Sequence, residues 1–189
     1  MSAPVGEFYT EERWHNWLDR LRDADLDPSD EDSARLLLNL QDDVAIAVAK
    51  IVSAADDELD DEAALEELGG IRDIVLGPAE IDDEETAMLV DGVQTSLVAV
   101  FYAAEAYIAD GVADDATVEE YLERASEAEA AEEFDEALQL TGRAGTRVID
   151  GEALDIGVVE GFEYGLVTEW TNGLDSLQSA LSDPEVIEE

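Results

Sequence analysis

Val93-Gln-Thr-Ser-Leu-Val-Ala-Val-Phe-Tyr-Ala-Ala-Glu-Ala-Tyr107 is apolar on most sides of a helix, and Val44-Ala-Ile-Ala-Val-Ala-Lys-Ile-Val52 repeats the pattern with Lys50 as its one charge. Neither stretch shows the alternation of a half-buried strand. A helix apolar nearly all round is buried on all sides, so these stretches predict two central helices, near 29–55 and 82–110. Built outward from them, the chain reads as all-α: a bundle of about six helices in a single helical domain over 1–189, with 1–9 and 183–189 as extended or flexible termini.

Start and stop signals divide the remainder. Thr10 reads as the N-cap of a first helix running to about Ala24, with Tyr9 and Trp14 at the spacing of a hydrophobic staple and Trp14, Trp17, Leu18 and Leu21 on one face. A third helix starts near Asp60, is expected to break or bend at Gly69-Gly70, and ends at Gly77-Pro78. Asp82 with Glu85 and Thr117 with Glu120 fit capping boxes, and Gly111 is a stop. The segment from Thr117 to Arg147 reads as helical, with an interruption near Ala130 or at Gly142 and Gly145. A sixth helix is expected from about Glu152 to Leu181.

The 189 residues include 51 Asp or Glu and only 9 Lys or Arg, a formal net charge of −42. A disordered acidic chain needs low hydrophobicity and few aromatics, but 46% of these residues are hydrophobic and twelve are aromatic. The composition therefore predicts a folded protein whose surface suits concentrated salt, where repulsion between carboxylates is screened. Lysine is nearly absent: eight of the nine cations are arginine. With no cysteine there is no disulfide framework and no thiolate site. The first residues carry no basic, apolar signal pattern, and the longest uncharged stretch, Gly92 to Ala104, is too short to span a bilayer. The expected location is cytoplasmic, with no membrane partner.

Three segments carry a resemblance: Gly6-Glu-Phe-Tyr-Thr-Glu-Glu-Arg-Trp14, Asp32-Ser-Ala-Arg-Leu-Leu-Leu-Asn-Leu-Gln-Asp-Asp43 and Met88-Leu-Val-Asp-Gly-Val-Gln-Thr-Ser-Leu97. The chain resembles a family of small acidic haloarchaeal proteins of unknown function. The resemblance implies salt adaptation and carries no activity or site residue.

Chemical motifs are sparse. Asp25-Leu26-Asp27 matches only the start of a calcium loop, since glycine is missing at the sixth position (Asp30), glutamate at the twelfth (Leu36), and Pro28 interrupts it. A di-metal bundle needs two histidines, and His15 is the only one. No phosphate-cradling loop, nucleophile elbow or dinucleotide fingerprint is present. The chain is thus read as non-catalytic, with no cofactor and no specific metal, its acidic surface gathering cations diffusely. An acidic decoy or chaperone for basic proteins follows from the charge alone.

Four groups of residues remain as candidates. Gly157, Gly161 and Gly165 recur every four residues of the expected sixth helix, where they mark a close backbone approach, within the bundle or between two chains. Phe8, Tyr9, Trp14 and Trp17 make an aromatic end in a locally neutral stretch, which either docks on the core or meets a partner, including a second copy. Asn39, Asp42, Asp91, Gln94 and Thr95 could line a polar pocket between the central helices, as a small-ligand binder or enzyme would need, or bond to one another. Arg143 and Arg147, one turn apart, could hold an anion or pair with acidic neighbours. Neither this pair nor Arg13, Arg20 and Arg22, which balance the acids of the aromatic stretch, forms the basic stripe with interleaved aromatics of a nucleic-acid surface. The leading expectation is a homo-oligomer or an adaptor for another protein.

Overall fold

The computed structural model describes residues 9–24, 26–27, 29–57, 60–78 and 80–182. Among them are seven α-helices and no strand: α1 (Glu11–Asp23), α2 (Glu31–Asp57), α3 (Asp61–Val75), α4 (Glu84–Asp110), α5 (Val118–Ala130), α6 (Phe134–Asp150) and α7 (Leu166–Leu181), with a 3₁₀ segment, Ile156–Gly161, before α7. The expected all-α bundle is present. Of the termini read as extended, only Tyr9 is described, and it is buried.

α2 and α4 are the central helices. One apolar cluster joins α1, α2, α3 and one side of α4, with Trp14, Leu21, Val48, Ile71, Leu97 and Phe101 buried in it. A second fills the space between α4, α5, α6 and α7, around Ala103, Tyr121, Leu122, Ala144, Trp170 and Leu174. α4 serves both clusters, with Ala99 and Ala103 turned to one and Val100 and Phe101 to the other, which explains its lack of a polar face. By length and composition α4 could also cross a membrane, and half of its most apolar window is buried within the protein.

Helix ends follow the cap chemistry closely. Thr10 Oγ1 accepts from the Arg13 amide at 3.1 Å, and Thr117 and Glu120 form a complete capping box. Gly111 ends α4 at φ +84°, a conformation that glycine adopts without strain. The α4 cap lies one residue beyond the expected Asp82: the Asp83 carboxylate accepts from the amide and hydroxyl of Thr86.

Two expectations are corrected and one alternative is decided. α3 passes through Gly69-Gly70 without a break. Burial of Ala64, Leu68, Ile71 and Val75 on one face outweighs a glycine cost of about 1 kcal/mol per residue.

Of the two interruptions considered between Thr117 and Arg147, the one near Ala130 is present: α5 ends there, and its junction with α6 is a Schellman turn. Glu132 N donates to Glu129 O and Glu133 N to Ala128 O, with Glu132 in the left-handed region at φ 62°. Gly142 and Gly145, candidates for the interruption, are instead buried inside α6.

The helix expected from Glu152 to Leu181 begins only at Leu166. Asp155 caps the 3₁₀ segment by accepting from Gly157 N at 2.9 Å, and Gly165 is fully extended at the N-cap of α7. Three glycines within nine residues deprive this stretch of helix propensity, and a glycine helix face does not exist there.

Candidate functional site

The aromatic end of α1 is turned inward. Tyr9 and Trp14 are 2% and 3% exposed, and Trp17 is half-buried; Phe8 lies outside the described residues. Asp43 on α2 fixes the docking: it accepts from Arg13 Nε at 2.7 Å, from a second Arg13 nitrogen, and from Trp17 Nε1 at 3.0 Å. The Arg20 guanidinium stacks over the Trp17 ring at 4.4 Å, a cation–π contact. Burial, with Asp43 nearby, pushes the Tyr9 hydroxyl's pKa well up, against a smaller opposing effect of Arg13. His15 is exposed and faces an open cleft of about 530 Å³ between α1 and the end of α3, beside Arg22 and Asp73. Asp27, in the segment weighed for calcium, is held by the amide and hydroxyl of Ser29; Asp25 and Pro28 lie outside the described residues.

Of the three glycines expected to mark a close approach only Gly165 does so, against a side chain, and the tighter approaches are made by other glycines. A Cβ on Gly173 of α7 would overlap the Ser96 carbonyl oxygen of α4, one on Gly145 would overlap Ala103, and one on Gly142 would overlap the Tyr102 ring. A Cβ on Gly161 would meet nothing, and Gly157 faces only the Asp155 carboxylate that caps its own turn. Gly165 faces Glu129 of α5, whose carboxylate accepts from Leu166 N at 2.6 Å and Val167 N at 3.3 Å. Glu129 thus supplies the N-terminal partner of α7 from another helix, an arrangement that the positive end of the helix dipole reinforces. Glu129→Ala is expected to lower stability by about 1–2 kcal/mol and Glu129→Gln by less, read as thermal unfolding midpoints in molar KCl.

The five residues read as a polar pocket do not converge. Gln94 Nε2 donates to the carbonyls of Val75 and Gly77, both at 2.9 Å, closing the end of α3. Thr95 bonds the Asp91 carbonyl of its own helix, and Asp91 and Asn39 are exposed. Asp42 turns to α7, where Ser176 bonds it and Asp175 repels it. Its burial is the main reason that its pKa stands above the usual aspartate value. Glu105 and Glu169 are raised for the same reason, partly offset by Arg72 and by Ser96 respectively.

The two arginines of the expected anion contact part company. Arg147 is occupied: it forks onto Glu152 Oε1 with Nε at 2.9 Å and a terminal nitrogen at 2.6 Å, and donates to the Ala113 carbonyl. Glu152 also accepts from Val118 N at 2.6 Å, and the arginine followed by this amide holds its carboxyl below the usual range. Arg143 is exposed and makes no ion pair among the described residues. It stands between two open clefts on α6. One, of about 410 Å³, is lined by Tyr102, Asp110 and Gln139. The other, of about 420 Å³, lies between α5 and α6 and is lined by Arg124, Glu127, Glu133 and Glu136. Arg124, which sequence reasoning did not single out, stands over the Tyr121 ring at 5.9 Å and likewise lacks an ion pair among the described residues.

A family model described as an uncharacterized protein conserved in archaea, DUF2150, matches residues 7–189, and the chain belongs to that family. Searches of curated proteins and of solved structures each found no match.

Proposed function

We propose that this member of the archaeal family is a salt-adapted cytosolic helical protein, of the acidic haloarchaeal kind, that catalyses no reaction and works by contact with other protein chains, copies of itself first among them. The observation that carries the reading is where the polar side chains stand. Gln41, Gln94, Gln178, Asp43, Glu129 and Glu152 each sit at a seam between elements and bond across it. Groups that could have lined a reaction pocket are occupied in joining helices. Large apolar side chains meanwhile stand at the surface, Tyr164 81% and Met88 73% exposed. A partner therefore meets an acidic surface bearing isolated apolar groups. The charge of −42 also disfavours anionic lipid and nucleic-acid phosphates as partners.

The test is the native mass of the tagged protein in its own lysate, held in molar KCl, by size exclusion with light scattering. A discrete two- or four-fold multiple of 20.5 kDa is expected. A larger assembly with one stoichiometric second chain would make this an adaptor, and a monomer at every concentration would overturn the contact reading.

A further inference from the structure

Four features coincide at the corner between α5 and α6. Residues 131–136 are all exposed, among them Phe134, 46% exposed. The corner places Glu132 at φ 62°, where glycine is the default and any other residue stores strain. α6 starts without a side-chain cap. Beside it runs the cleft shared by Arg124 and Arg143 with Glu127, Glu133 and Glu136. Arg124 and Arg143, which make no ion pair among the described residues, stand here in one groove with three carboxylates.

We infer that this corner is where two copies of the chain meet, which rests on the self-association reading above. The occupant follows from the charges. In a two-fold contact the same patch faces itself, so it must be self-complementary. A groove carrying both signs satisfies that: rotated onto its copy, it sets Arg124 and Arg143 of one chain against Glu133 and Glu136 of the other. A purely acidic face of this protein would repel itself. Phe134, between the two glutamates in sequence, supplies the apolar contact that survives when salt screens the charges, while pairs brought into contact lose solvent and are screened less. The strained corner is then retained because it presents Phe134 and the carboxylates beside the arginines.

The test uses the purified full-length chain in molar KCl, with three variants: Arg124→Glu/Arg143→Glu, Glu133→Arg/Glu136→Arg, and Phe134→Ser. Wild type is expected at twice 20.5 kDa. Each variant is expected to be a monomer with wild-type helicity, since none of the five side chains makes a bond to another described element. Mixing the two charge-reversed variants is expected to restore a particle of twice the mass, which a merely misfolded variant could not do. A wild-type dimer left intact by all three variants overturns the corner as the contact while leaving self-association standing. A wild-type monomer overturns both.

Discussion

Moved from molar KCl into about 10 mM salt at pH 7, the chain is expected to lose its cooperative thermal transition and to expand. The Debye length grows from about 3 Å to about 30 Å over that range, so carboxylates that ignored one another begin to repel across the molecule. Only four ion pairs are formed among the described residues, too few to offset 51 acidic groups. A domain of this size is stable by about 5–15 kcal/mol, and the expected loss is comparable to the whole of it. Circular dichroism and light scattering against KCl concentration check this. An unfolding midpoint that does not move between the two salts would refute it.

Acid should stand in for salt over a limited range. Asp42, Glu105 and Glu169 have pKa values raised by burial. Just above the ordinary carboxylate values the native state therefore holds more protons than the unfolded one, and stability rises as pH falls toward about 4. General protonation of surface carboxylates relieves repulsion in the same direction. Asp83 and Glu152 behave oppositely. Their pKa values are lowered, by Thr86 and by Arg147 with the Val118 amide, so their contribution is present above the ordinary values and is lost as pH falls through their native ones. At intermediate salt, where a cooperative transition is still expected at pH 7, the melting temperature should climb from pH 7 to about pH 5 and drop below about pH 4.

What could be read from the sequence was whatever is local. Periodicity identified α2 and α4 as central, and Thr10, Thr117 and Gly111 marked helix ends because a cap bonds within three or four residues. The break near Ala130 was only one of two alternatives, because its left-handed position holds Glu132 instead of glycine while Gly142 and Gly145 advertised a break that is not there. The partners of Asp43, Gln94 and Glu129 were hidden, since each lies on another element, 17 to 38 residues away. Arginine spacing alone could not separate Arg147, which is occupied, from Arg143, which is not.

Glycine shows the same limit most sharply, and it yields the second large effect. Gly157, Gly161 and Gly165 have the spacing of a helix face, whereas Gly173 has no companion, yet only Gly173 carries α7 against the α4 backbone. Its missing Cβ is replaced by the Ser96 carbonyl and the Val100 side chain. The obstacle is backbone, so it cannot rotate aside: α4 and α7 must separate, and both apolar clusters run through them. Gly173→Ala is therefore expected to destabilise by about 2–3 kcal/mol, although alanine is the better helix former by about 1 kcal/mol. That corresponds to roughly 4–12 °C in melting temperature for a chain of this length. Gly173→Leu should not fold. Gly161→Leu, at an exposed position with open space around it, should stay within about 0.5 kcal/mol of wild type. The two glycines thus separate a spacing read along the chain from a contact made across it. If Gly161→Leu proved the more damaging, the segment before α7 would have to pack as a helix after all, and the crossing at Ser96 would not be the tightest in the bundle.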